Sequence, residues 1–410
     1  MATQIFTNIS LLANTRMNPG FVRGDELAIL PSIKNAFVII EDDTIAETGA
    51  METFRFLKES ISVAANTIVL PCWCDSHTHL VFAGSREEEF IDKIKGLSYA
   101  EIAAKGGGIL NSAKKLNATS EDELFNAAWK RLEEVSKLGT GAIEIKSGYG
   151  LSLEGELKML RVIKKLKEKS PLKIKSTFLG AHTFPVEYKE NHQKYIDIIN
   201  QQMLPVIAKE RLADYIDVFC EKGFLSAEEM KSICEAGKKY GLKPKLHVNQ
   251  LNSIGGIETG ISVNALSLDH LETLTEEEIE LLGKYEGGST LLPSAAFFLR
   301  MPLQPARSLI NAGAAVTLAS DYNPGSSPSG NMNFVISLAS IQMKMLPEEA
   351  INAATINGAC AMEIDKDFGS ISAGKKANLI FTKPMPSLAY LPYSFGNNLI
   401  DKVMINGSYI

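Results

Sequence analysis

The chain is short of the residues that build several kinds of protein. Its five cysteines (Cys72, Cys74, Cys220, Cys234 and Cys360) are an odd number in 410 residues and sit mostly among apolar neighbours. That argues against a disulfide framework and suits reduced thiols in a cytosolic chain. The CxC at Cys72 and Cys74 lacks a second cysteine pair and reads as buried cysteine rather than a metal clamp. Positive charge is not in excess: 42 Lys and Arg against 48 Asp and Glu leave a formal net charge of -6. A nucleic-acid binder or a protein seated on an anionic membrane carries a basic face, so neither class fits. The same balance means that an anionic ligand needs one locally placed cation, and Arg86 is the residue to follow. No apolar run approaches the length of a membrane span. The opening MATQIFTNISLLANTR has no basic start followed by a long apolar stretch, so no secretory signal is expected and the expected compartment is the cytoplasm. No internal repeat or low-complexity linker interrupts the chain.

What is present is a long alternation of short apolar runs with helical patterns. Strand-like runs rich in β-branched and aromatic residues are IVLPCWCDSH, AIEIKS, IKSTFLGAH, YIDVFCE, PKLHVNQ, ALSLDH, STLLPSA and AVTLASD. Between them, residues 155–168 place Leu157, Leu160, Val162 and Ile163 on one helical stripe. A second helix is expected over 226–240, opened by a capping box of Ser226 and Glu229. Eight such alternations predict a (β/α)8 TIM-like barrel over residues 66–359. The two ends read differently. NAFVII, IAETG, LIFTK and DKVMINGSYI are short strands separated by turns. They predict a small β-sandwich domain made of residues 1–65 together with 360–410.

The polar residues fall where this architecture would use them. The chain has six histidines, and five of them end inferred strands: His77 and His79 the first, His182 the third, His247 the fifth and His270 the sixth. Asp321 ends the eighth. In a (β/α)8 barrel the carboxyl ends of the strands meet at one mouth, so residues distant in sequence converge there. Side chains at i and i+2 of a strand share a face, which points His77 and His79 the same way. With His247 and Asp321 they make four ligands of types that suit zinc or ferrous iron. The sixth histidine, His192 in KENHQK, belongs to a charged helical run and is expected on the surface.

Longer motifs narrow the reading. HTHLVFAGSREEEF, KGLSYAEIAAKGGGI, EIKSGYGL, TFLGAHTFP, HVNQLNSIGG, LDHLE and SDYNPGSSP together resemble the amidohydrolase superfamily. Within it, they resemble the branch that opens the ring of 4-imidazolone-5-propanoate to N-formimidoyl-L-glutamate in histidine degradation. The resemblance runs from about residue 35 to 410. It implies one divalent ion per chain, zinc or iron, held by His77, His79, His247 and Asp321. Such an ion lowers the pKa of a bound water from about 15.7 to about 7. Asp321 is expected to accept that water's proton, and His270 to assist proton transfer or polarise the scissile carbonyl. The plainer alternative for His270 is a core histidine bonded to its DHLE neighbours.

The resemblance also implies an anionic small-molecule substrate, with Arg86 on its carboxylate; otherwise Arg86 would form a surface ion pair with Glu87–Glu89. Tyr149 and His182 are expected to donate hydrogen bonds to the ring or the carboxylate, and Gln250 to recognise a ring nitrogen or the imine. Some relatives carry glutamate where Gln250 stands, and an amide takes no proton at neutral pH, which shifts the general-base role to Asp321 and His270. Asn323, Gly325 and Ser326, in the loop after Asp321, are candidate substrate contacts, or simply a tight turn leaving the strand. Tyr99 is a further pocket candidate, or equally a helix core residue. Gly106–Gly108 lack the context of a phosphate cradle and read as a mobile loop near the mouth. Lys222, just beyond the fourth strand, is the nearest lysine to the place where two-metal relatives carry a bridging one. Cys72 replaces a glycine usual in relatives and puts local packing in question. A homodimer is implied as well. The rival readings are another cyclic amidohydrolase, a nucleobase deaminase of the same superfamily, or a scaffold without chemistry.

Overall fold

The computed structural model describes residues 3–55, 61–64, 66–97, 101, 105 and 107–410. Among the described residues, sixteen strands fall into two sheets. The first is parallel throughout and runs in order from β6 (Trp73–Asp75), β7 (Thr140–Lys146), β8 (Lys173–Ala181) and β9 (Tyr215–Cys220) to β10 (Lys243–Val248), β11 (Ser267–His270), β12 (Gly288–Leu291) and β13 (Ala315–Leu318). Each of the eight predicted runs supplies one of these strands. Their side chains are buried along nearly their whole length, as expected for parallel strands covered on the outside by helices and filled on the inside. The expected helical stripe lies within the helix Leu153–Lys169, where Leu157, Leu160, Val162 and Ile163 are all buried. The helix Ala227–Lys238 opens on the predicted capping box, with Ser226 Oγ accepting from the amide of Glu229 and Glu229 Oε2 accepting from that of Ser226.

The barrel closes in an informative way. β6 and β13 do not pair along their named lengths; the seam is made by the residues just after them. Thr78 bridges Tyr322 in parallel. Around that bridge the Asp321 amide donates to the His77 carbonyl at 3.0 Å and the His79 amide to the Tyr322 carbonyl at 2.9 Å. Three of the four predicted metal ligands therefore belong to the backbone ladder that shuts the barrel.

The termini form the second sheet, ordered β16 (Ser408–Tyr409), β15 (Ile400–Ile405), β14 (Leu379–Thr382), β5 (Ile68–Pro71), β1 (Thr3–Ala13), β2 (Ser32–Glu41) and β3 (Thr44–Ala50), with β4 (Ile61–Val63) also against β1. Both ends of the chain contribute, as expected, and they enclose a separate apolar core that includes Phe6, Ile9, Leu12, Val38, Leu379 and Met404. The join differs from the expected boundary at residue 66. The run IVLPCWC is divided: Ile68–Pro71 pairs with β1 and β14 in the terminal sheet, and only Trp73–Asp75 enters the barrel. Cys72 sits at the crossing point, buried, with its Cβ 2.5 Å from where a side chain on Gly141 would begin. The extra bulk at Cys72 is thus accommodated by a glycine across from it.

At the other end of the barrel sequence, the helix Ile356–Ala361 lies against β6. A Cβ on Gly358 would come within 2.2 Å of the Cys74 carbonyl oxygen, so helix and strand touch only because that residue has no side chain. Gly358→Ala is expected to cost about 1–3 kcal/mol through overpacking, read as a lower midpoint of thermal unfolding. No helix among the described residues is long and apolar enough to cross a membrane.

Candidate metal centre

Four side chains from three places in the barrel meet at its mouth. His77 and His79 follow β6, His247 is in β10, and Asp321 follows β13. The His77 and His247 Nε2 atoms are 3.1 Å apart, and those of His247 and His79 are 3.4 Å apart. Asp321 Oδ1 lies 3.6 Å from His77 Nε2 and 3.5 Å from His79 Nε2. Separations of 3.1–3.6 Å are those of donor atoms that share one ion at zinc–ligand distances of about 2.0–2.2 Å.

The chemistry of these atoms gives the same answer. His77 Nδ1 bonds Asp269 Oδ2 at 2.6 Å, and His247 Nδ1 bonds Asp217 Oδ2 at 2.8 Å. A carboxylate accepts, so each imidazole carries its proton on Nδ1 and turns an Nε2 lone pair inward. Burial, and then the neighbouring Lys146 and histidines, hold the pKa of His77 well below the usual range; burial and nearby histidines do the same for His79 and His247. The Nε2 lone pairs of His77 and His247 therefore face one another beside the Asp321 carboxylate, an arrangement a cation satisfies. The donor set fits a divalent metal.

Backbone strain marks the same place. His270, Leu271 and Asp321 have φ of +88°, +64° and +53°, the left-handed region that residues with side chains seldom adopt. Burial raises the pKa of Asp321 to about 6, against the opposing pull of His270 and of hydrogen bonds from Asn323 and Ser326. A bound cation would reverse that rise. His270 shifts upward despite its burial, because the Glu272 charge and hydrogen bond outweigh desolvation. Its Nδ1 is 3.3 Å from Glu272 Oε1, which also accepts from Gln304 Nε2 at 2.9 Å. So His270 does bond its DHLE neighbour, and it also lies beside His77 and Asp321 in a second possible ligand group.

Above the four ligands opens a cavity of about 400 Å3. His79, His247, His270 and Asp321 form its inner end, while His77 lies beneath them, fully buried. Arg86, Tyr149, His182 and Gln250 line the walls, and so does the loop residue Gly325. Arg86 makes no ion pair with Glu87–Glu89 among the described residues. Its Nε donates to Ser112 Oγ at 2.8 Å, and Nη1 lies 2.5 Å from where a Cβ on Gly325 would be. Gly325 is therefore needed for the guanidinium to take this position. Burial raises the Tyr149 pKa, which keeps its hydroxyl protonated as a donor.

Other expected contacts need correction. His182 Nδ1 bonds the Gly148 carbonyl oxygen at 3.1 Å, and burial lowers its pKa to about 4. A neutral ring with its proton on Nδ1 offers an acceptor at Nε2, so His182 accepts from a ligand N–H rather than donating to a carboxylate. Asn323 and Ser326 line the cavity but are engaged within the loop. Asn323 Nδ2 donates to the Asp321 carbonyl and to Ser326 Oγ, both at 2.7 Å, while Oδ1 accepts from the amides of Gly325 and Ser326. Ser326 Oγ in turn donates to Asp321 Oδ2 at 3.2 Å. These two residues hold the aspartate in place. Tyr99 and Gly106 lie outside the described residues. Lys222 is exposed and away from the cavity, and His192 pairs with Glu229 on a helix remote from it.

The sequence reading missed two groups. Lys93 and Glu89 join the cavity wall, seven and three residues after Arg86, a helical spacing that places them on its side. Beneath the ligands lies a buried charged floor of Glu144, Lys146, Asp217, Lys245 and Asp269. Its signal was available in AIEIKS, YIDVF, KPKLHV and LSLDH, where charges interrupt apolar strands and must be paired if buried.

A family model described as Amidohydrolase family matches residues 68–410. A chain from Flavobacterium johnsoniae named imidazolonepropionase is 60% identical over 390 residues, covering 95% of each chain. Another of the same name from Christiangramia forsetii is 55% identical over 410 residues, covering all of both. Among solved structures, guanine deaminase of E. coli superposes with a TM-score of 0.71 at 13% identity, covering 100% of this chain and 99% of that one. At that identity the likeness concerns the fold.

Proposed function

The chain belongs to the amidohydrolase family and, within it, to the imidazolonepropionases, and on that premise we propose that it hydrolyses 4-imidazolone-5-propanoate to N-formimidoyl-L-glutamate in the degradation of histidine. The observation that carries the site reading is the convergence of the His77, His79 and His247 imidazoles and the Asp321 carboxylate at the inner end of the cavity that Arg86 lines. Water adds to the ring carbonyl carbon, the carbonyl carbon–nitrogen bond breaks, and the nitrogen takes a proton. One open-chain product results, with a new carboxylate at one end and the formimidoyl group on its nitrogen.

His77, His79, His247 and Asp321 would hold one divalent ion, zinc or iron, which when bound supplies a more acidic water and polarises the carbonyl. Asp321 accepts the water's proton; Ser326, bonded to its Oδ2, keeps the carboxylate aligned. His270, held by Glu272, faces the carbonyl oxygen as a hydrogen-bond donor. Arg86 pairs with the propanoate, and His182 accepts from a ring N–H. Gln250 recognises the imine side of the ring. We further place the enzyme in the cytoplasm as a homodimer.

Loss of ring absorbance on mixing the metal-loaded protein with the substrate tests the proposal, and no such loss sinks it. A nucleobase deaminase would have no use for a carboxylate-binding arginine, so Arg86 separates the two readings. Gly325 provides a milder version of the same test. Gly325→Ala pushes the guanidinium aside, and the expected result is a raised KM with kcat little changed, because binding is weakened equally before and during the reaction.

A further inference from the structure

The mechanism leaves the buried floor of the barrel without a part. Its two lysines differ in what they touch. Lys146 Nζ lies 2.6 Å from Glu144 Oε1, 2.9 Å from Asp217 Oδ2 and 3.7 Å from Asp269 Oδ2. The last two oxygens are the ones that accept from His247 Nδ1 and His77 Nδ1. Lys245 Nζ instead bonds Glu144 Oε2, Ser267 Oγ and the Ala361 carbonyl; its charge also acts on Asp269, but its hydrogen-bonded path there runs through Ser267, and it makes no contact with Asp217.

From this geometry we infer that Lys146 is a positioning residue for the metal centre, one ammonium that fixes the two carboxylates orienting His77 and His247. The inference rests on the reading of the four-residue cage as a metal site. Asp217 Oδ2 lies between the ammonium at 2.9 Å and the His247 N–H, while Asp269 Oδ2, 3.7 Å from the ammonium, lies between its charge and the His77 N–H with Oδ1 held by Ser267, so rotating either carboxylate gives up a favourable contact in a water-free interior. The two histidines are 170 residues apart in sequence. Their ring orientations are nonetheless set by the same atom. Groups outside a ligand shell that orient the ligands typically change metal affinity about 10–100-fold when lost.

The experiment compares wild type, Lys146→Met and Lys245→Met, each shown to be folded by circular dichroism. Zinc affinity is measured by competition with chelators, and the cobalt-substituted proteins are compared by visible absorption. Lys146→Met is expected to bind zinc about 10–100-fold more weakly and to show an altered cobalt spectrum. Lys245→Met, an equally buried lysine, is expected to lose less. Zinc binding as tight as wild type in Lys146→Met, or equal losses in both variants, would overturn the inference. Wild-type protein that binds no zinc or cobalt would overturn the metal reading first, and this inference with it. Should Lys146→Met not fold, Lys146→Gln replaces it under the same readouts. Metal-free wild type gives a further measurement: His77 and His247 should already show protected Nδ1–H protons by NMR, and their absence would count against preorganisation by Lys146.

Discussion

Asp321→Asn is expected to reduce turnover by about 10²–10⁴-fold, the range for loss of a positioned general base. The amide keeps the shape of the carboxylate but cannot accept a proton, and Gln250 on the cavity wall is an amide as well. No other carboxylate among the described residues is shared between the ligand group and the cavity, so little can substitute. Oδ1 is also one corner of the cage, 3.5 Å from His79 Nε2, so metal content should fall in the same variant. The check is paired: steady-state rates and metal per chain on one preparation. A variant that keeps its metal and more than a small fraction of wild-type turnover would remove Asp321 from the proton-transfer role.

Arg86→Ala should follow a different pattern. A charge-assisted contact to a carboxylate contributes roughly 1.5–3 kcal/mol, which corresponds to a drop of about 10–150-fold in kcat/KM. Most of it should be seen in KM, since the propanoate lies away from the bond that breaks. Ser112, bonded to Nε, and Gly325, against Nη1, fix the guanidinium so that it meets the tail without reorganising. A substrate analogue without the carboxylate gives the control: it should react equally slowly with both proteins. If the variant matched wild type on the full substrate, the arginine would have no part in recognition, and a deaminase-like substrate would become the better reading.

Much of this site was legible in the sequence because histidine is scarce and strand ends are easy to find. Five of the six histidines fall at the ends of short strand-like runs, and a parallel barrel brings strand ends together whatever their order. The capping box at Ser226 was legible for a similar reason, since its partners are three residues apart. What could not be read depends on distant partners. IVLPCWC is one apolar run, and nothing local states that its first half pairs with β1 and its second with β7. The proton on His182 is set by the Gly148 carbonyl, 34 residues earlier, so acceptor could not be told from donor. Asn323 and Ser326 have the chemistry of ligand contacts, and only the folded loop shows their polar atoms engaged with Asp321. Lys146 and Asp217 were visible as charges within apolar strands, but their pairing required the closed barrel.

The seam between Thr78 and Tyr322 carries one more consequence. Because His77, His79 and Asp321 contribute both candidate ligand atoms and the amides and carbonyls that join first strand to last, an ion held there would tie the first strand to the last through side chains as well as backbone. An ion present at a thousand times its dissociation constant would add about 4.1 kcal/mol to the folded state. Thermal unfolding is therefore expected to shift upward with added zinc, and an unchanged midpoint would count against this linkage.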